Sequence, residues 1–133
     1  MRIDNLPATV KGPAGMFTGD AWFDVIAPPQ EAPSRMRVNL VRFAPGARTA
    51  WHSHAVGQTL HVTDGVGYVQ SRGGEVVEMV PGQSYYTPPG EWHWHGATAD
   101  RFMTHLAMWE GTDDGTPESE WGDHVTESEY PAS

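Results

Sequence analysis

The chain contains no cysteine, so it can form no disulfide, thiolate metal site, iron–sulfur cluster or cysteine nucleophile. Basic residues are scarce: 8 Lys and Arg stand against 17 Asp and Glu, a formal charge of −9. That sign excludes nucleic acid and anionic membrane as principal partners, since both need a cationic surface. No apolar run approaches the roughly 18 residues of a transmembrane helix. The first segment, MRIDNLPATVKGPAGMFTGD, lacks the continuous apolar stretch of a signal peptide, and a cytoplasmic protein is expected.

What is present is punctuation. Fifteen Gly and eleven Pro separate short segments rich in Val, Thr, Tyr, Phe and Trp, with alternation such as Met36-Val38-Leu40 against Arg37-Asn39-Val41. The pattern predicts strands near 35–43, 48–54, 58–63, 66–71, 75–79, 84–87, 93–98 and 102–109. No window supports a long amphipathic helix. An all-β protein is therefore expected, an antiparallel sandwich or jelly-roll barrel, and 133 residues suit one domain. Its parts are an N-terminal arm over 1–34, in which Trp22 to Ile26 reads as one extra strand, a barrel over 35–109, and an acidic tail over 110–133. No Lys or Arg follows Arg101, and eight of the 17 acids fall between Glu110 and Glu129. The tail reads as a solvated segment pinned by Trp121, Val125 and Tyr130.

Four of the seven His form two pairs, His52-Ser53-His54 and His93-Trp94-His95. A spacing of two puts both imidazoles on one face of a strand. Gln58, four residues beyond His54, can aim an amide oxygen into the same space, and His93 can enter from a further strand. Imidazoles with an oxygen donor suit Mn, Fe, Co, Ni or Zn better than Ca or Mg. His61 has the opposite parity to Gln58 and reads as outward-facing, and His124 reads as solvated.

Both pairs lie in motifs that resemble those of the cupins. The first is Gly46-ARTAW-His52-Ser-His54-AVG-Gln58-TLHVTD-Gly65, which matches that family's first motif with Gln58 in the Glu position. The second is Gly82-QSYYT-Pro88-Pro-Gly90-EW-His93-WHG-Ala97, which lacks only the final Asn. The resemblance implies a double-stranded β-helix barrel with a metal held by His52, His54, Gln58 and His93. From Gly46 to about Tyr130 the chain is also similar to small bacterial cupins with a His-His-Gln-His site, a group that includes manganese-dependent (R)-selective hydroxynitrile lyases. That similarity implies a divalent transition metal, manganese first, with Fe, Ni, Co and Zn open. It also implies a homodimer or homotetramer, for which the 22–26 strand is a candidate pairing edge.

Gln in place of Glu removes one negative charge from the ligand set, so a divalent ion keeps its full charge and acts as a stronger Lewis acid. In cyanohydrin cleavage a base must take the hydroxyl proton. His105 is the candidate, on one strand face with Met103, Ala107 and Trp109, where an apolar setting lowers its pKa. A second reading makes it an ordinary core histidine bonded to a backbone carbonyl. Val41, His95, Met103 and Trp109 are the candidate contacts to a small-molecule substrate. Two other functions stand beside the lyase: an Fe- or Mn-dependent dioxygenase, and a small-molecule-binding cupin without turnover.

Overall fold

In the computed structural model, which describes residues 1–131, thirteen strands and no helix are present among the described residues. They are β1 (Val10–Lys11), β2 (Phe17–Thr18), β3 (Ala21–Ala27), β4 (Met36–Phe43), β5 (Arg48–Thr49), β6 (His52–His54) and β7 (Gln58–Gly65). There follow β8 (Gly67–Ser71), β9 (Val77–Met79), β10 (Ser84–Thr87), β11 (His93–Ala97), β12 (Met103–Glu110) and β13 (Ser119–Trp121). One sheet has the order β1-β3-β4-β12-β7-β10. The other runs β13-β6-β11-β5-β2, with β8 pairing both β11 and β9. All pairings are antiparallel, and the two sheets enclose a core that includes Val41, Phe43, Leu60, Val62, Met79 and Met103. No helix among these residues is long and apolar enough to cross a membrane.

Six of the expected strands appear with shifted ends. The stretch 48–54 differs: it is broken into β5 and β6 by Ala50 and Trp51, and both halves lie along β11. β3 is present, but β1 covers it at Trp22 and Phe23, so only the remainder of that edge is open. β12 carries a register irregularity against β7 between Thr104 and His105, a local kink of the kind that redirects a side chain.

The tail is pinned at Val125 and Tyr130 as expected, but it also forms a strand where a solvated segment was expected. Its residues 119–121 form β13 on the edge of β6, in register with the His52–His54 pair. Val125 and Tyr130 then pack with Trp51 and Trp94 on the outer face of the second sheet, and the Tyr130 hydroxyl donates to the Ala97 carbonyl at 2.6 Å. Arg48 spans the same region, donating to the Val125 carbonyl at 2.9 Å and to Glu127 at 3.0 Å. Alternation along β11 explains the need for this cover: His93 and His95 face inward, so Trp94 faces outward, and the tail leaves it with no exposed surface.

Gly96, between those inward histidines and the end of β11, marks a close approach of two backbones. A Cβ there would press on the Ala47 carbonyl and lie 2.6 Å from Arg48 Cα. Gly96→Ala is expected to cost about 1–3 kcal/mol or more, read as a lowered urea midpoint with an unchanged m-value.

Candidate metal centre

The centre is assembled from both sheets. β6 supplies His52 and His54, β11 supplies His93 and His95, and β7 opens with Gln58. His52 and His93 are register partners on adjacent strands, which brings their ring centroids to 4.3 Å. Gln58 arrives through a tight turn at Gly57, whose φ is +86° and whose Cβ position lies 3.0 Å from the Thr87 carbonyl; glycine tolerates both. All five side chains are buried.

Each motif histidine has one ring nitrogen occupied. His52 Nδ1 donates to the Ala50 carbonyl at 2.9 Å, and His93 Nδ1 donates to the Glu91 carbonyl at 3.0 Å. His54 Nδ1 lies 3.0 Å from the Ser119 hydroxyl. A proton fixed on Nδ1 leaves the lone pair on Nε2, the usual arrangement for a ligand imidazole. The rings are neutral as well. Burial, then the neighbouring imidazoles, holds His52 well below its usual pKa and takes His54 down to about 4; burial also lowers His93.

This donor set fits a cation. Among the described residues, His54 Nε2 and His95 Nε2 are buried with no hydrogen-bond partner, each a cost of about 1–3 kcal/mol if left so. His93 Nε2 faces Gln58 Oε1 at 3.0 Å. With Nδ1 protonated, those two atoms are both acceptors. Either the amide turns over to donate, or a cation stands between two lone pairs. Two ligands adjacent on an octahedral ion are about 3 Å apart when each bond is roughly 2.1 Å. One ring nitrogen each of His52, His93 and His95 also lies within 4.8 Å of the others, so His95 stands directly beside the four residues of the motifs.

His105 stands behind His95. It is fully buried, and its Nε2 lies 2.9 Å from His95 Nδ1. Burial pushes it down to about 4, against an upward pull from the backbone of His105 and Leu106. Among the described residues, His105 Nδ1 is buried without a hydrogen-bond partner. In the tautomer with the proton on His95 Nδ1, His105 Nε2 accepts from it and the lone pair of the pair emerges at His95 Nε2. Burial, followed by the surrounding imidazoles, holds His95 well below its usual pKa.

The histidines open on a cavity of about 290 Å³ with a mostly apolar wall. Of the expected substrate contacts, Val41, His95 and Trp109 line it and Met103 does not; the expected base, His105, does not line it either. The series along β12 gives the reason: Trp109 and Ala107 border the cavity, His105 lies beneath His95, and Met103 is buried in the core opposite Phe43 and Gly65. Asn39, Phe23, Ser119 and Trp121 also line the cavity. The strand parity of Asn39 with Val41 signals its place. Nothing in the local pattern signals Ser119 or Trp121. His61 lies outside, bonded to Ser84 at 2.8 Å, and His124 is exposed.

The cupin domain model matches residues 39–109, more than half of the sequence. The chain belongs to the cupin family. This cupin is 46% identical over 123 residues to an (R)-mandelonitrile lyase of Granulicella tundricola, across 92% of each chain. A cupin-like protein from Thermotoga maritima superposes with a TM-score of 0.83 at 38% identity, over 90% of this chain and 89% of that one. A cupin 2 conserved barrel protein from Rhodopseudomonas palustris has a TM-score of 0.69 at 14% identity, over 92% and 79%, and supports the fold alone.

Proposed function

We propose that this cupin is a metal-dependent lyase that cleaves or forms cyanohydrins, the product pair being an aldehyde or ketone and hydrogen cyanide. The observation that carries the reading is the likeness to the (R)-mandelonitrile lyase over nearly the whole chain, joined to a cluster of neutral donors opening on a small apolar cavity. His52, His54, His93 and Gln58 are the residues that would hold the metal, manganese by the sequence resemblance. A divalent cation there supplies Lewis acidity, undiminished by any carboxylate ligand, that stabilises developing negative charge.

The chain's own residues account for the rest. At about 290 Å³ the cavity is just below the roughly 300–1,000 Å³ of drug-sized ligand sites, which suits a substrate as small as mandelonitrile. Phe23, Val41 and Trp109 supply an apolar wall for an aryl or alkyl group and exclude water. His95 Nε2 takes the hydroxyl proton as the bond between carbinol and nitrile carbons breaks; the electron pair leaves with cyanide, which then collects the proton. His105 accepts from His95 Nδ1–H throughout and holds His95 in the tautomer with its lone pair toward the substrate. The base role expected for His105 thus passes to His95, with His105 as its positioning residue.

His95→Ala is expected to keep the metal and to lower the turnover of mandelonitrile by about 10²–10⁴-fold, the usual contribution of a positioned base. Loss of metal in that variant would instead make His95 a ligand. Turnover at the native rate would remove it from the reaction.

A further inference from the structure

The acidic tail touches two of the candidate metal-binding histidines. Three of the five inner histidines belong to the motif set, and two of them, His52 and His93, have Nδ1 fixed by a backbone carbonyl two residues before them, Ala50 and Glu91. His54 has no such carbonyl partner: its Nδ1 is met by the Ser119 hydroxyl at 3.0 Å, 65 residues further along the chain. On the same short strand, the Trp121 indole stacks on the His52 imidazole at 4.4 Å and 21°. Both residues line the cavity.

The strand is held on both sides of this contact. Before it, the Glu118 carbonyl accepts from Ala55 N at 2.9 Å, and the Glu118 carboxylate joins Arg37 and Trp109 Nε1, each at 3.1 Å. After it, Gly122 N donates to the Trp51 carbonyl at 2.7 Å, and Trp51 N donates to the Asp123 carbonyl at 2.9 Å. Val125 and Tyr130 anchor the remainder in the second apolar cluster. A surface tail needs none of these bonds. They fix Ser119 and Trp121 against two imidazoles whose orientation decides where their lone pairs aim.

We propose that residues 118–121 form a strap that completes the metal centre, with Ser119 the positioning residue for His54 and Trp121 the positioning residue for His52. The Ser119 hydroxyl accepts from His54 Nδ1–H and so keeps the lone pair on the buried, otherwise unpartnered Nε2. Trp121 holds the His52 ring plane and closes that side of the cavity. Through Glu118, the strap also fixes the Trp109 indole, so metal retention and cavity shape depend on one segment. This proposal rests on the metal-site reading above, and its test separates the two.

Chelator-treated full-length protein is titrated with Mn²⁺ and with Co²⁺, in the wild type, Ser119→Ala, Ser119→Thr and Trp121→Leu. Loss of a partner that orients a ligand histidine typically weakens metal binding by about 10–100-fold. Ser119→Ala is expected to show that loss, Ser119→Thr to regain most of it, and Trp121→Leu to show a loss of its own. Nitrogen-15 shifts of the histidine rings in the metal-free proteins supply a second readout. His54 is expected to be held as the Nδ1–H tautomer in the wild type and the threonine variant, and to become a tautomer mixture in the alanine variant. Wild-type affinity in Ser119→Ala with an unchanged His54 tautomer would overturn the strap. No uptake of either metal by the wild type would overturn the metal reading, while the tautomer comparison would still decide whether Ser119 orients His54.

Discussion

His93→Ala is expected to abolish stoichiometric metal uptake and to lower cyanohydrin turnover by on the order of 10³-fold or more, since a Lewis acid contributes several kcal/mol to the barrier and each 1.4 kcal/mol is tenfold. Among the donors, His93 meets Gln58 of the other sheet through its ring Nε2. It is also the register partner of His52, and its ring lies within 5.7 Å of His54 and of His95. Removing it separates the two sheets' contributions to the centre. Dialysis followed by elemental analysis reads the metal, and benzaldehyde absorbance reads turnover. Gln58→Glu is a useful companion because it restores the carboxylate of the resembled motif. Metal should be held more tightly and turnover should fall, as the added charge offsets the cation's Lewis acidity.

Acid is expected to destabilise the metal-free protein steeply. His54 and His105 sit at about 4 in the folded chain, against 6.5 for the free group. A depressed histidine pKa means that the unfolded state binds protons first. Above pH 6.5 both states are neutral and nothing is lost; as pH falls from 6.5 to about 4, stability declines at up to about 1.4 kcal/mol per pH unit for each such group. By pH 5, His54 and His105 together cost about 4 kcal/mol relative to pH 7. His52, His93 and His95 are lowered in the same direction and add to the loss. Against a usual total of about 5–15 kcal/mol, this is a large share of the stability of the apo protein. Urea midpoints of chelator-treated protein at pH 7, 6 and 5 measure the effect. A pH-independent midpoint would mean that these rings are solvated or charged in the folded state.

The barrel was legible because its strands follow a local rule: alternation between glycine and proline turns, readable over five to nine residues. The convergence of His52, His54, His93 and His95 was legible for the same reason, as parity two within each pair puts both rings on one face. Parity could not give depth. Met103, His105, Ala107 and Trp109 share a face of β12, but at roughly 3.3 Å per residue the first and last are about 20 Å apart, and only Ala107 and Trp109 border the cavity. Depth is set by the pairings Met103 with Gly65 and Trp109 with Gln58, which are non-local.

The strap was illegible for a related reason. Ser119-Glu120-Trp121 sits in an acidic run after Pro117 and before Gly122, and its composition matches a solvated segment. What orders it is pairing with residues 65 or more positions earlier, and burial of Val125 and Tyr130 against Trp94, whose outward direction only the barrel defines. The break at Ala50 and Trp51 is similar, since both flanking pieces have strand composition and only their joint pairing along β11 separates them.

The most direct measurement is anaerobic cleavage of mandelonitrile by the chelator-treated protein, before and after reloading with one equivalent of Mn²⁺. A metal-dependent lyase should release benzaldehyde and cyanide in equal amounts only after reloading, with no requirement for oxygen. Stoichiometric metal binding without cleavage, or turnover that appears only when oxygen is admitted, would contradict the lyase assignment.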